Sequence, residues 1–179
     1  MSAIQVISGH TGSITVARSA LLEPGQTREF LSCQLGGVSY GIALQCVQEI
    51  RSYEAPTQIA NAPDCVKGIV DLRGVIVPIV DLRISFGLPT VNYDALTVSV
   101  ILLVQDRVIG VVVDSVSDVL ALSGAQIKPA PSFNRALDAS YIAGIGTPDS
   151  EDAQRMLLLL DIEALLANPD LGLNGGPLQ

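Results

Sequence analysis

The sequence predicts an all-β protein, a barrel or sandwich of short, closely spaced strands. Three observations lead there. Hydrophobic residues fill 49% of the 179 positions, yet aromatics fill only 4% and Trp is absent, so the core is built from Val, Ile and Leu. β-Branched residues crowd the middle of the chain, and their restricted χ1 suits the pleated surface of a strand better than a helix. Short apolar segments alternate with turn signals along most of the length, the pattern of many strands joined by tight connections.

Taken in order, residues 1–27 hold Gly, Ser and Thr with weak periodicity and are expected to form a flexible N-terminal tail. The ordered unit is expected over 28–166. Phe30–Leu35 and Val38–Ala43 flank Gly36-Gly37, a pair suited to a two-residue hairpin because glycine reaches positive φ without a Cβ clash. Alternation along Val47–Ile50 places Val47 and Glu49 on one strand face, Gln48 and Ile50 on the other. Val66–Leu72 and Val75–Val80 flank Arg73-Gly74, and Val98–Val104 and Val108–Val113 flank Gln105-Asp106-Arg107. Ile142–Ile145 and Met156–Leu160 flank a polar loop with Pro148 and Asp149. Helix is expected only as single turns at Pro63–Val66 and Leu82–Phe86, and as a C-terminal helix over Asp161–Ala167 with Asp161 as N-cap. Residues 167–179, rich in Gly and Pro, are expected to form a flexible C-terminal tail. No tandem repeat stands out, although two hairpin-rich halves fit the pattern.

Charge and chemistry narrow the function. The net charge is -8, and Arg51, Lys67, Arg73, Arg83, Arg107 and Lys128 stand far apart, so no basic stripe is present to neutralise nucleic-acid phosphates. An anionic membrane surface would repel such a chain, no apolar run is long enough to span a bilayer, and direct membrane insertion is not expected. The N-terminus lacks a cationic region before an apolar stretch, which points to a cytoplasmic protein. The three cysteines, Cys33, Cys46 and Cys65, are odd in number and widely spaced, as expected of free thiols in a reducing compartment. The one histidine, His10, falls in the expected tail. With no second histidine, no phosphate-binding loop and no zinc-ligand spacing, neither catalytic residues, nor a metal, nor a cofactor is expected. Asp71, Asp81, Asp114, Asp118 and Asp161 lie near strand ends, where carboxylates commonly bind turn and cap N–H groups rather than perform acid–base work. A mean hydropathy of +0.46 is high for a soluble domain and implies exposed apolar surface for a protein partner.

Several segments together resemble one family. Val47-Gln48-Glu49-Ile50, Pro63, Val66-Lys67-Gly68-Ile69, and the run Leu72-Arg73-Gly74-Val75-Ile76-Val77-Pro78-Ile79-Val80-Asp81-Leu82-Arg83 are similar to the signature of the CheW family of chemotaxis adaptors. So are Gly110–Val116, Ile127–Pro131, Tyr141–Ile145 and Leu157–Leu166, in the same order and without a large gap. The resemblance implies two small SH3-like β-barrel subdomains around a shared hydrophobic core, with a division that no single cut of the chain makes. It implies a non-enzymatic adaptor that couples transmembrane chemoreceptors to the CheA histidine kinase, cytoplasmic and recruited to membrane-associated receptor arrays. The implied partners are the CheA regulatory domain and the cytoplasmic tip of a methyl-accepting chemotaxis protein, a helical hairpin. An alternative is a paralogous adaptor in another chemosensory system, such as one driving pilus motility. The family usually carries Asn where this chain has Asp71, and a carboxylate there is expected to draw Arg73 inward.

The receptor-binding residues expected on this resemblance are Val47, Glu49, Gly68 and Arg73. An arginine fork offers charge and several donors to a partner, and a bridge from Glu49 would orient it. Val47, sharing a face with Glu49, would line a groove for a receptor helix; the competing role is core packing. Gly68 and Gly74 are read as backbone necessities that also allow a partner's close approach. Lys128 and Phe133 bracket Pro129-Ala130-Pro131 and are the expected kinase-binding residues, since a loop Phe either folds back as a plug or meets a partner.

Overall fold

In the computed structural model the described residues are 25–130, 141–148, 155–171 and 173. The chain folds into two sheets. The first has six strands: β1 (Thr27–Leu35), β2 (Val38–Ala43), β8 (Ser115–Ser123), β9 (Ile127–Lys128), β10 (Ile142–Gly146) and β11 (Leu157–Leu160), in the order β8-β1-β2-β11-β10-β9. The second has five: β3 (Val47–Ser52), β4 (Val66–Leu72), β5 (Val75–Asp81), β6 (Val98–Val104) and β7 (Arg107–Val113), in the order β3-β6-β7-β5-β4. The second sheet is contiguous in sequence and is inserted between β2 and β8 of the first.

Each sheet curls on itself. In the second, the chain beyond β3 returns to the opposite edge, where Thr57 and Ile69 of β4 exchange two backbone hydrogen bonds of 2.9 Å. In the first, β8 turns through a 3-10 turn, Gly124–Gln126, into β9, which pairs with β10 at the far edge. The result is two small barrels, consistent with the SH3-like architecture.

Three apolar clusters follow from this arrangement. One lies inside the first barrel around Phe30, Leu122, Leu157 and Leu159, and a smaller one inside the second around Val77, Ile79 and Val112. The largest is shared: Leu31, Leu35 and Ile42 of the first barrel meet Val100, Leu102 and Val111 of the second. Each such side chain contributes about 1.5–3 kcal/mol when fully buried. Helix α1 (Leu82–Ser85) and helix α2 (Ile162–Leu166) close over this shared core, with Leu82, Ile162 and Leu165 buried in it. Asp81 caps α1 by accepting from Arg83 N, and Asp161 caps α2 by accepting from Ala164 N, both at 3.0 Å.

Several boundaries differ from expectation. β1 begins at Thr27, inside the expected N-terminal tail. β8 is a strand that apolar alternation does not announce, because most of its nine residues are only partly buried or exposed. The packed chain also continues beyond residue 166. Pro169–Leu171 form a 3-10 turn, Leu171 is 2% exposed in the shared core, and Arg107 donates to the Leu173 carbonyl. The start of the expected C-terminal tail is therefore anchored. His10 and Phe133 lie outside the described residues.

A charged network fills the seam between the barrels. Arg83, only 1% exposed, donates from Nε and Nη2 to the two oxygens of the buried Asp81 at 3.0 and 2.8 Å. Its Nη1 reaches the Asn92 carbonyl at 2.6 Å and Asp114 Oδ1 at 2.9 Å. Asp114 Oδ2 accepts from Gly36 N at 2.8 Å, gripping the β1–β2 turn of the other barrel. Tyr93 donates to Asp81 Oδ2 at 2.8 Å and stacks on Tyr53, and the Arg83 guanidinium lies 4.8 Å from the Tyr93 ring centre. Burial works to lower the Arg83 pKa, but the hydrogen bonds to Asp81 and Asp114 outweigh it and hold the guanidinium charged.

Candidate functional site

The site begins with a turn. Arg73 and Gly74 connect β4 to β5 as a two-residue hairpin in which Leu72 pairs with Val75. Both turn residues are left-handed, with φ of +53° and +87°. Positive φ at successive positions matches the twist of the flanking strands, but a side chain with a Cβ is strained there. Asp71 Oδ1 accepts from Gly74 N at 2.7 Å and fixes the turn. The carboxylate at position 71 thus serves the backbone and does not draw Arg73 inward.

Arg73 instead reaches across to β3. Its Nη2 donates to Glu49 Oε2 at 2.6 Å, while its side chain stays 79% exposed. The anticipated Glu49–Arg73 bridge is therefore present, and most of the fork faces water. The other Glu49 oxygen is also occupied: Arg51 Nη1 donates to Oε1 at 3.2 Å. One carboxylate holds two guanidinium groups. Ion pairs this exposed contribute about 0.2–1 kcal/mol, so the arrangement orients the forks more than it stabilises the barrel. Arg51 was not among the expected site residues. The available signal was its spacing, two residues beyond Glu49 on the same strand face.

Val47 and Gly68 are placed differently. The β3–β6 pairing shifts register between Val47 and Glu49, a bulge that breaks the alternation expected to put them side by side. Val47 is half-buried and packs against the shared core. Gly68 is buried at a bulge of β4 with φ of +141°, and a Cβ there would lie 2.0 Å from the Thr57 carbonyl oxygen. The close approach that requires glycine is made by this chain's own barrel-closing segment.

Apolar side chains remain exposed on these strands: Ile50 of β3, and Val75 and Ile76 immediately after the Arg73-Gly74 turn. In the other barrel, Lys128 is exposed in β9, where it pairs with Ile145, and Pro129 beyond it is also exposed. Among the described residues, no group of three or more His, Cys, Asp or Glu is arranged to hold a metal ion. No helix among them is long and apolar enough to cross a membrane.

Comparison with known proteins agrees with this architecture. A family model described as CheW-like domain matches residues 29–170. The chain is 48% identical to the chemotaxis protein CheW of Klebsiella aerogenes over 162 residues, covering 90% of this chain and 94% of that protein. It is 31% identical to the chemotaxis protein CheW of Treponema pallidum, covering 80% and 84% of the two chains. The crystal structure of the scaffolding protein TtCheW from Thermoanaerobacter tengcongensis superposes with a TM-score of 0.69 at 24% identity, covering 75% of this chain and 89% of that one.

Proposed function

The chain belongs to the CheW family of chemotaxis adaptors, and from that premise we propose that it couples chemoreceptors to the CheA histidine kinase by binding alone, without catalysis. The receptor partner is the cytoplasmic signalling tip, a helical hairpin, and the receptor-facing surface is centred on Arg73 and Glu49. The observation that carries this reading is the exposed Arg73 fork, held in place by Glu49 on a turn whose own backbone is secured by Asp71. A helical hairpin offers carboxylates and carbonyls to such a fork, and Ile50, Val75 and Ile76 supply apolar area on the strands that carry it.

Val47 and Gly68 support this surface from within: Val47 through the shared core and Gly68 through the closure of the barrel. The second partner is the regulatory domain of CheA. Lys128, exposed on the first barrel, and Phe133 are the proposed contacts. Placing the two surfaces on different barrels lets one molecule bind both partners together. The protein works in the cytoplasm and joins membrane-associated arrays through these contacts.

Co-sedimentation of the full chain with receptor-bearing membranes and CheA tests the reading. Wild-type protein should enter the ternary complex and raise kinase control by receptor ligand. Arg73→Glu should lose receptor binding but keep kinase binding. Absence of any ternary complex with wild-type protein would overturn the proposal.

A further inference from the structure

Glu49 holds not one guanidinium but two, and the second carries information about the partner. We propose that Arg51 is a recognition residue of the receptor-facing surface, and that Arg51 and Arg73 together take two carboxylates spaced three or four residues apart on the partner helix. The inference rests on the adaptor reading above.

The geometry is specific. Arg51 Nη1 and Arg73 Nη2 bind opposite oxygens of the same carboxylate, at 3.2 and 2.6 Å. Each guanidinium has five N–H donors, and Glu49 takes one from each in these contacts. The Arg51 and Arg73 side chains are 41% and 79% exposed, against 29% for Glu49. Glu49 is thus the sheltered middle of the group and the two forks are its open ends. The nearby carboxylate of Asp71 is bound to Gly74 N.

The separation of the forks sets the partner's spacing. Both hang from one carboxylate, so they lie no farther apart than its width plus two hydrogen bonds. Acidic side chains at i and i+3 or i+4 on a helix have Cβ atoms about 5–6 Å apart, and two such carboxylates can each meet one fork. Charge complementarity points the same way. A chain of net charge -8 repels an acidic partner at a distance, so attachment needs a local cationic site. Two forks, one on β3 and the other on the β4–β5 turn, provide one, with exposed Val75 and Ile76 directly following that turn.

Isothermal titration of the full chain with a soluble fragment of a chemoreceptor signalling hairpin tests the inference. Arg51→Ala should melt like the wild type and weaken binding about tenfold, the scale of a lost charge-assisted hydrogen bond. The loss should shrink as salt rises and should persist in a Glu49→Gln background, where Arg51 no longer has its carboxylate to orient. Unchanged or tighter binding by Arg51→Ala overturns the inference, as does a loss that vanishes in Glu49→Gln, which would make Arg51 a mere support for Glu49. If Arg73→Ala weakens binding and Arg51→Ala does not, the adaptor reading stands and this inference falls. If wild-type protein does not bind the fragment, both fall.

Discussion

Arg83 and Asp114 meet at 2.9 Å across the seam between the barrels, and the same Asp114 carboxylate holds the backbone of Gly36 on the far side. The pair is a strut: it joins the end of β5 to the β1–β2 turn through one buried guanidinium. Removing Arg83 leaves Asp81 buried without its counter-ion. Arg83→Ala should lower unfolding stability by about 3–5 kcal/mol, measured by urea denaturation. A loss below about 1 kcal/mol would show that Tyr93 and the backbone alone satisfy Asp81.

Arg73→Gly separates structure from recognition at the β4–β5 turn. The arginine sits at φ +53°, a conformation glycine adopts without strain. The relief and the greater freedom of glycine in the unfolded chain largely offset each other, so stability should stay within about 1 kcal/mol of wild type. Receptor binding should nonetheless fall, because the fork is gone. A variant that is equally stable and binds equally well would remove Arg73 from the interface.

Gly68→Ala should behave in the opposite way. The added methyl would lie 2.0 Å from the Thr57 carbonyl, so the segment that closes the second barrel must move. Lost Thr57–Ile69 hydrogen bonds and a strained φ of +141° should cost about 3 kcal/mol or more. Hydrogen exchange should show Thr57 and Ile69 amides losing protection first.

Cys33 gives a prediction in pH. Burial, aided by the negative charge of Asp114, pushes its thiol up to about 12. The unfolded thiol titrates near about 8.5. A folded pKa raised above the unfolded one means stability that is complete below about pH 8.5 and is lost as pH rises toward about 12. At pH 8 an alkylating reagent should label the half-buried Cys46 and Cys65 before Cys33, as peptide mass spectrometry would report. Early labelling of Cys33 would show that the shared core opens readily.

The hairpins were legible in the sequence because turn chemistry is local. Gly36-Gly37 and Arg73-Gly74 announce themselves between apolar runs, and both connect paired strands. Asp81 and Asp161 were legible as strand-end carboxylates, and both cap helices. β8 was not, because a strand with one solvated face, a bulge and few buried residues carries little periodic signal. The bulge between Val47 and Glu49 likewise inverts the face argument for Val47, and nothing in Val-Gln-Glu marks an extra residue. The Glu49–Arg73 bridge spans 24 positions and was reached through the family resemblance, whereas Arg51 was marked only by its spacing of two from Glu49, a signal that any strand residue shares.

The insertion of one barrel into the other has a consequence for synthesis. The β1–β2 hairpin is made before any residue of the second barrel, yet β11, its neighbour in the finished sheet, ends at Leu160. At about 5–20 residues per second, the hairpin waits on the order of ten seconds for that neighbour to be translated. Only the second barrel has all its strands in one uninterrupted stretch, so it can close while the ribosome is still working. Its face of the shared core, Val100, Leu102 and Val111, then offers Leu31 and Ile42 a surface on which to shelter until translation supplies the rest. A nascent chain stalled once β7 has left the ribosome should therefore already protect the hairpin from protease, although four of the six strands of its own barrel are still to come.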